Sequence, residues 1–141
     1  MANKNPDELL PEDDTAFLKE KYPNARVYGV GNEVHVLLPS FPFPAAYQPR
    51  TADLLVRLPA GYPDAKPDMF WTNPDVKLGS GAWPIQCQHH EIPGSGEGVE
   101  VYNKVAWQRW SRHSTPADWR AGIDGLRNFI GAIKRDLERQ I

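Results

Sequence analysis

The 141-residue sequence predicts an α+β domain: an N-terminal helix, a four-stranded antiparallel meander, a long irregular segment and a C-terminal helix. Three observations carry this. Apolar residues alternate at period two in several runs between Arg26 and Thr72, as half-buried strands require. Further on they step by four, three, four, three and four through Trp119, Ile123, Leu126, Ile130, Ile133 and Leu137, the stripe of an amphipathic helix. Strands come first and do not alternate with helices, which argues for helices packed on one face of an antiparallel sheet.

The first helix is read from "PEDDTAFLKEKYP". Pro11 suits the first helical position, and Glu12, Asp13 and Asp14 suit the positive end of the helix dipole. Phe17, Leu18 and Tyr22 supply its apolar stripe, and Pro23 ends it. Two strands follow around Gly31-Asn32, a dipeptide fit for a tight hairpin. In the second, Val34, Val36 and Leu38 alternate with Glu33, His35 and Leu37, which implies one buried face. "ADLLVRLP" repeats the pattern with Leu54, Val56 and Leu58, and "DMFWT" is a fourth short strand.

After Thr72 the strand pattern stops and the chain is turn-rich to about Lys104. "VAWQRWSRH" reads as a helical turn or two, with Trp107 and Trp110 three apart on one face. The final helix has two candidate starts, Thr115-Pro116 and Asp124, with Gly122 and Gly125 weakening the earlier one. The expectation is one domain over residues 1–141 with an irregular insertion at about 88–118. Structureless runs of that length in a compact domain are usually functional or disordered.

Sixteen basic and eighteen acidic side chains leave a formal charge of −2, which gives no overall footprint for nucleic acid or an anionic membrane. No run approaches the ~20 apolar residues of a membrane span. The polar, acidic N-terminus does not read as a signal peptide. A single cysteine cannot form an internal disulfide, and a free thiol fits a reducing compartment, so the expected location is cytoplasmic.

That cysteine, Cys87, lies in "WPIQCQHHEIPGSGEG" beside His89 and His90. A thiolate is a good nucleophile and a good leaving group, and the polar, glycine-rich surroundings predict that it is exposed. A lone cysteine is also commonly a small core hydrophobe. In an extended segment residue i+2 returns to the same face, which would set His89 beside Cys87 as a proton acceptor. A zinc site built from Cys87, His89 or His90, and His113 lacks a recognised ligand spacing. The tryptophans at 107, 110 and 119 are best read as anchors for the irregular segment. Their basic neighbours also fit single-stranded nucleic acid or a protein hot spot.

"LLVRLPAGYPDAKPDMFWTNPDV" resembles the middle of a ubiquitin-conjugating (UBC) domain. The matching features are Tyr62-Pro63, Pro67, Phe70, the "NPDV" turn, Cys87 seventeen residues after Phe70, and Trp119 ahead of a long helix. "WQRWSRH" and "WRAGIDGL" are similar to phrases of a bacterial branch, prokaryotic family E. The resemblance implies a UBC-like fold and a bacterial ubiquitin-like conjugation pathway. Its partners would be a ubiquitin-like protein, a ThiF-type activating enzyme and a JAB-type peptidase, with defence against phage as a purpose. It makes Cys87 the thioester carrier, with no cofactor, and places Asn73, Asp75, His89 and His113 around the acyl transfer. Where the common enzymes have His-Pro-Asn, this chain has Asn73-Pro74-Asp75, and an ionised Asp75 cannot donate a hydrogen bond to an oxyanion. Two alternatives come from other classes: a catalytically inactive UBC-like module that binds a ubiquitin-like protein or its activating enzyme, and a Cys-His hydrolase acting on conjugates.

Overall fold

The computed structural model describes residues 9–84, 87–93, 105–111, 119–121 and 123–139. Helix α1 spans Glu12–Lys21. The strands are β1 (Arg26–Val30), β2 (Glu33–Pro42), β3 (Tyr47–Gln48), β4 (Thr51–Leu58), β5 (Phe70–Asn73), β6 (Lys77–Leu78), β7 (His89–Glu91) and β8 (Trp107–Trp110), and helix α2 spans Leu126–Arg139. The α+β expectation holds, as does the four-strand meander, which is β1, β2, β4 and β5 in antiparallel succession. The sheet then continues to β8 and β7, giving the order β1-β2-β4-β5-β8-β7, and β3 pairs β6 separately.

The β1–β2 turn is the expected two-residue loop, with Val30 opposite Glu33. Gly31 takes φ 61°, the first-position glycine of a type II′ hairpin turn. Strand β2 is interrupted by a register shift between Leu38 and Phe41. Ser40 sits in that shift at φ 52°, its N–H held by Asp53 Oδ1 at 3.0 Å.

Three expectations are corrected. The segment after Thr72 is not irregular throughout, because it supplies β6, β7 and β8. "VAWQRWSRH" holds a strand rather than a helical turn. Three residues apart in a strand means opposite faces, so Trp110 enters the helix-side core while Trp107 joins a second cluster with Leu37, Leu55 and Trp71. They do anchor the segment, both at 2% exposure or less. Strand β2 is buried on both faces: His35 and Leu37 are as enclosed as Val36 and Leu38. That second face is built around Trp71, with the Arg57 guanidinium 5.2 Å from its ring centroid.

Helix α2 covers the opposite face with Leu126, Phe129, Ile130, Ile133 and Leu137, each burial stabilising by about 1.5–3 kcal/mol. It starts later than the stripe suggests, and Ile123 is 71% exposed. The reason is local. Asp124 accepts the Arg120 N–H at 3.0 Å and its guanidinium at 2.8 Å, closing a turn ahead of the helix instead of capping it. The cap comes from α1. Asp14, expected to serve its own helix dipole, is buried and accepts the Leu126 N–H at 3.0 Å. Tyr62 donates its hydroxyl to the other Asp14 oxygen, and burial followed by the Asp14 carboxylate pushes that phenol well above its ordinary value. A Cβ on Gly125 would lie 2.8 Å from Asp14 Oδ1, so this close approach requires glycine. At the other end Tyr47 donates to the Leu137 carbonyl at 2.6 Å. Pro11 sits one position outside α1, where its carbonyl accepts from Asp14 and Thr15.

Two outcomes follow. Asp14→Ala should destabilise the chain by about 2 kcal/mol in urea unfolding, since it removes a cap and leaves a buried N–H unpaired, and Tyr62→Phe by about 1 kcal/mol. The two losses should not add, because both act through one carboxylate. The second outcome concerns pH. Burial lowers His35 from the ordinary 6.5, with the Glu33 hydrogen bond opposing and Arg57 assisting. The unfolded chain therefore binds a proton that the native chain refuses. Stability is full above about pH 6.5 and falls as pH drops toward the native value. The urea midpoint should decline from about pH 7.5 to pH 5.5, and His35→Gln should flatten that slope.

Candidate active site

The segment "TNPDV" leaves β5 and turns through a cis Asn73–Pro74 peptide into β6. A side chain from β8 holds this turn. Gln108 is fully buried. Its Oε1 accepts the Val76 N–H at 2.6 Å and the Thr72 hydroxyl at 2.9 Å, and its Nε2 donates to the Val76 carbonyl at 2.9 Å. The Thr72 oxygen in turn accepts Trp110 Nε1 at 2.9 Å. Every polar atom of the carboxamide oxygen and amide faces a partner, the condition under which a buried network adds rigidity.

Register then builds the site. On β7, His90 lies directly opposite Gln108, and opposite residues in an antiparallel pair share a face. Gln108 grips Val76, so His90 meets the neighbouring Asp75: His90 Nε2 is 2.8 Å from Asp75 Oδ1. An ionised Asp75 accepts only, so this contact puts the proton on Nε2 and leaves Nδ1 as an acceptor. Trp83 stands edge-on to the His90 ring at 5.8 Å, and Lys77 Nζ lies 4.4 Å from the Trp83 centroid. The pair is half open to solvent.

The expected site residues separate. Asp75 is in the site. Asn73 ends β5, half-buried, opposite Asp53 on β4. His89 points to the other side of β7, where its Nε2 is 3.6 Å from Glu91. Glu91 also takes Trp71 Nε1 at 2.9 Å and the Arg109 guanidinium at 3.0 Å. His113 lies outside the described residues. Cys87 is the largest correction. It is not exposed but 0% accessible, within the helix-side core, and its Sγ donates to the Pro84 carbonyl at 3.0 Å. Pro84 and Pro93 are buried too, while Gln88, His89 and His90 are exposed. The period-two argument pairing Cys87 with His89 fails because the strand begins only at His89. Among the described residues no three His, Cys, Asp or Glu side chains are grouped to hold a metal, and no helix is long and apolar enough to cross a membrane.

Sequence reasoning passed over Gln108, and it weighed His90 only as a neighbour of Cys87 or a zinc ligand, not as a partner of Asp75. The available signal was parity: in a strand, Gln108 shares a face with Trp110, so a polar residue takes a core-facing position. Gln108→Leu should cost about 3 kcal/mol, because Thr72 and both Val76 backbone groups lose their partner. It should also separate His90 from Asp75, seen as the loss of their hydrogen-bond signature in ¹⁵N imidazole spectra. In the native chain, Cys87 should react with a disulfide reagent at least about 100-fold more slowly than in denaturant.

Tyr62-Pro63 and Trp119, far apart in sequence, meet in space: Trp119 Nε1 donates to the Pro63 carbonyl at 2.8 Å, and its ring lies 6.4 Å from that of Tyr62. A family model spans these residues, the turn at Asp75, Cys87 and α2 together, matching residues 10–140. No curated protein and no solved structure matches the chain. With the match running over nearly its whole length, the chain belongs to prokaryotic E2 family E.

Proposed function

We propose that this chain is a UBC-like conjugating enzyme that carries a ubiquitin-like protein as a thioester on Cys87 and passes it to an amine. The observation that carries the reading is membership of an E2 family. An E2-type role implies a ubiquitin-like protein and an activating enzyme as partners. In the first step the Cys87 sulfur attacks the acyl carbon of the activating enzyme's thioester. A new C–S bond forms, the old one breaks, and the activating enzyme's thiol leaves. In the second step an amine attacks the acyl carbon, an amide forms, and the Cys87 sulfur departs.

The amine's proton needs an acceptor, and His90 Nδ1 suits that role, since Asp75 orients the ring through Nε2. The Asn73 side-chain amide, on the same turn, would support the oxyanion. The thiol is closed in the free chain, so this reading requires that docking of the activating enzyme uncovers it.

A second reading is favoured by that same burial: an inactive module that binds a ubiquitin-like protein or its activating enzyme, with Cys87 a core residue. Incubation with the activating enzyme, its modifier and ATP separates the two. The carrier reading expects a reductant-sensitive adduct that disappears in Cys87→Ala. A partner set that is competent with another carrier, yet yields no adduct here, establishes the module. In the carrier case His90→Ala should still load but should discharge to an amine about 100-fold more slowly.

A further inference from the structure

Away from the turn at Asp75, the C-terminal end of α1, the outer side of α2 and the shifted part of β2 enclose a groove of about 590 Å³. Its charge is opposite in sign to that of the chain. Lys21, Arg127 and Lys134 line it, and no Asp or Glu does among the described residues. All three cations are exposed. Lys21 has a solvent-exposed partner in Glu20 at 3.7 Å, a kind of pair that holds little. Arg127 lies 4.7 Å from the Phe17 ring centroid and Lys134 5.7 Å from that of Tyr22, so aromatic faces hold the cations in the groove.

Two features run against what the helix alone prefers. Arg127 occupies the first turn of α2, which has no acidic residue, although a helix N-terminus favours acids. Gly131 weakens the middle of the same helix. A Cβ there would meet only Arg135 Nη1, at 3.5 Å, so packing does not demand glycine; its effect is to keep the groove open. Arg127 and Lys134 are seven residues apart, about 10 Å along the helix. One carboxylate or phosphate cannot span that distance, whereas a polyproline II segment covers about 9 Å in three residues and returns to the same face.

We propose that this groove binds an acidic segment of a partner protein in polyproline II conformation, with two carboxylates three residues apart facing Arg127 and Lys134 and the backbone between them passing over Gly131. The interaction is independent of thioester chemistry at Cys87.

The test uses the full chain and a fluorescein-labelled peptide, Gly-Glu-Leu-Ser-Glu-Gly, followed by anisotropy. Saturable binding is expected at low ionic strength, with clear weakening at about 0.3 M salt. Arg127→Glu, Lys134→Glu and Gly131→Leu should each weaken it at least tenfold. Unchanged thermal melting verifies the fold of the charge variants, and Gly131→Leu, which removes a helix-interior glycine, should melt no lower. Four results overturn the proposal: no saturation up to about 1 mM peptide, equal binding of the peptide with both Glu replaced by Gln, full binding by Gly131→Leu, or tighter binding of oligothymidylate lost in the same variants. The last would assign the groove to nucleic acid.

Discussion

The candidate site depends on one buried carboxamide. Gln108 joins β8 to the turn between β5 and β6 through both backbone groups of Val76 and the hydroxyl of Thr72. Without it, β8 would still pair with β5, but the turn bearing Asp75 would have no fixed relation to the outer strands. With it, the register of β7 on β8 decides which histidine reaches Asp75. A shift of one residue would present His89 or Glu91 instead, because strand faces alternate. The choice of His90 is therefore a matter of pairing, and the carboxamide converts pairing into side-chain geometry.

Helix α2 is placed by the same kind of device at larger scale. Its apolar stripe supplies adhesion to the sheet but leaves sliding along the axis weakly opposed. Asp14 at the first free N–H and Tyr47 at the Leu137 carbonyl remove that freedom. Both are buried, so either one unpartnered would carry a desolvation penalty. Tyr62 satisfies the second Asp14 oxygen and at the same time packs near Trp119. The loop after β4, the approach to α2 and the first helix are thus closed around one carboxylate, and Gly125 is the residue that lets it come near enough.

This explains which parts of the fold were legible in the chain. Period-two alternation and the four-three stripe are local consequences of burial, so the meander and α2 could be read directly. The Gly31-Asn32 turn is likewise a local backbone requirement. The β7–β8 pair was not legible, because three- and four-residue strands carry too few repeats, and Trp107 and Trp110 fit a helical spacing as well as opposite faces of a strand. Helix α2 begins after Ile123 because a short-range Arg120–Asp124 turn competes for that stretch, a contest that an apolar period does not register. A motif pointed to the turn at Asp75, whereas the contact of Asp75 with His90 needed the register. The exposure expected of Cys87 followed the polarity of its neighbours. The sulfur nevertheless lies within the helix-side core and donates to the Pro84 carbonyl.

The departure at Asp75 takes on a chemical meaning in this setting. An asparagine at that point offers a donor; Asp75 removes it and offers an acceptor, and the residue it meets is a donor, His90 Nε2. Replacing Asp75 alone would leave the ring without orientation, and replacing His90 alone would leave the carboxylate without this donor. The aspartate and the histidine therefore form one unit, although they lie fifteen positions apart with β6 between them. In the proposed transfer, an acceptor oriented in this way takes the proton of the attacking amine. The buried thiol limits when that can occur. Any acyl transfer through Cys87 must be preceded by exposure of the sulfur, so access to it, rather than its intrinsic reactivity, would set when the first step can begin.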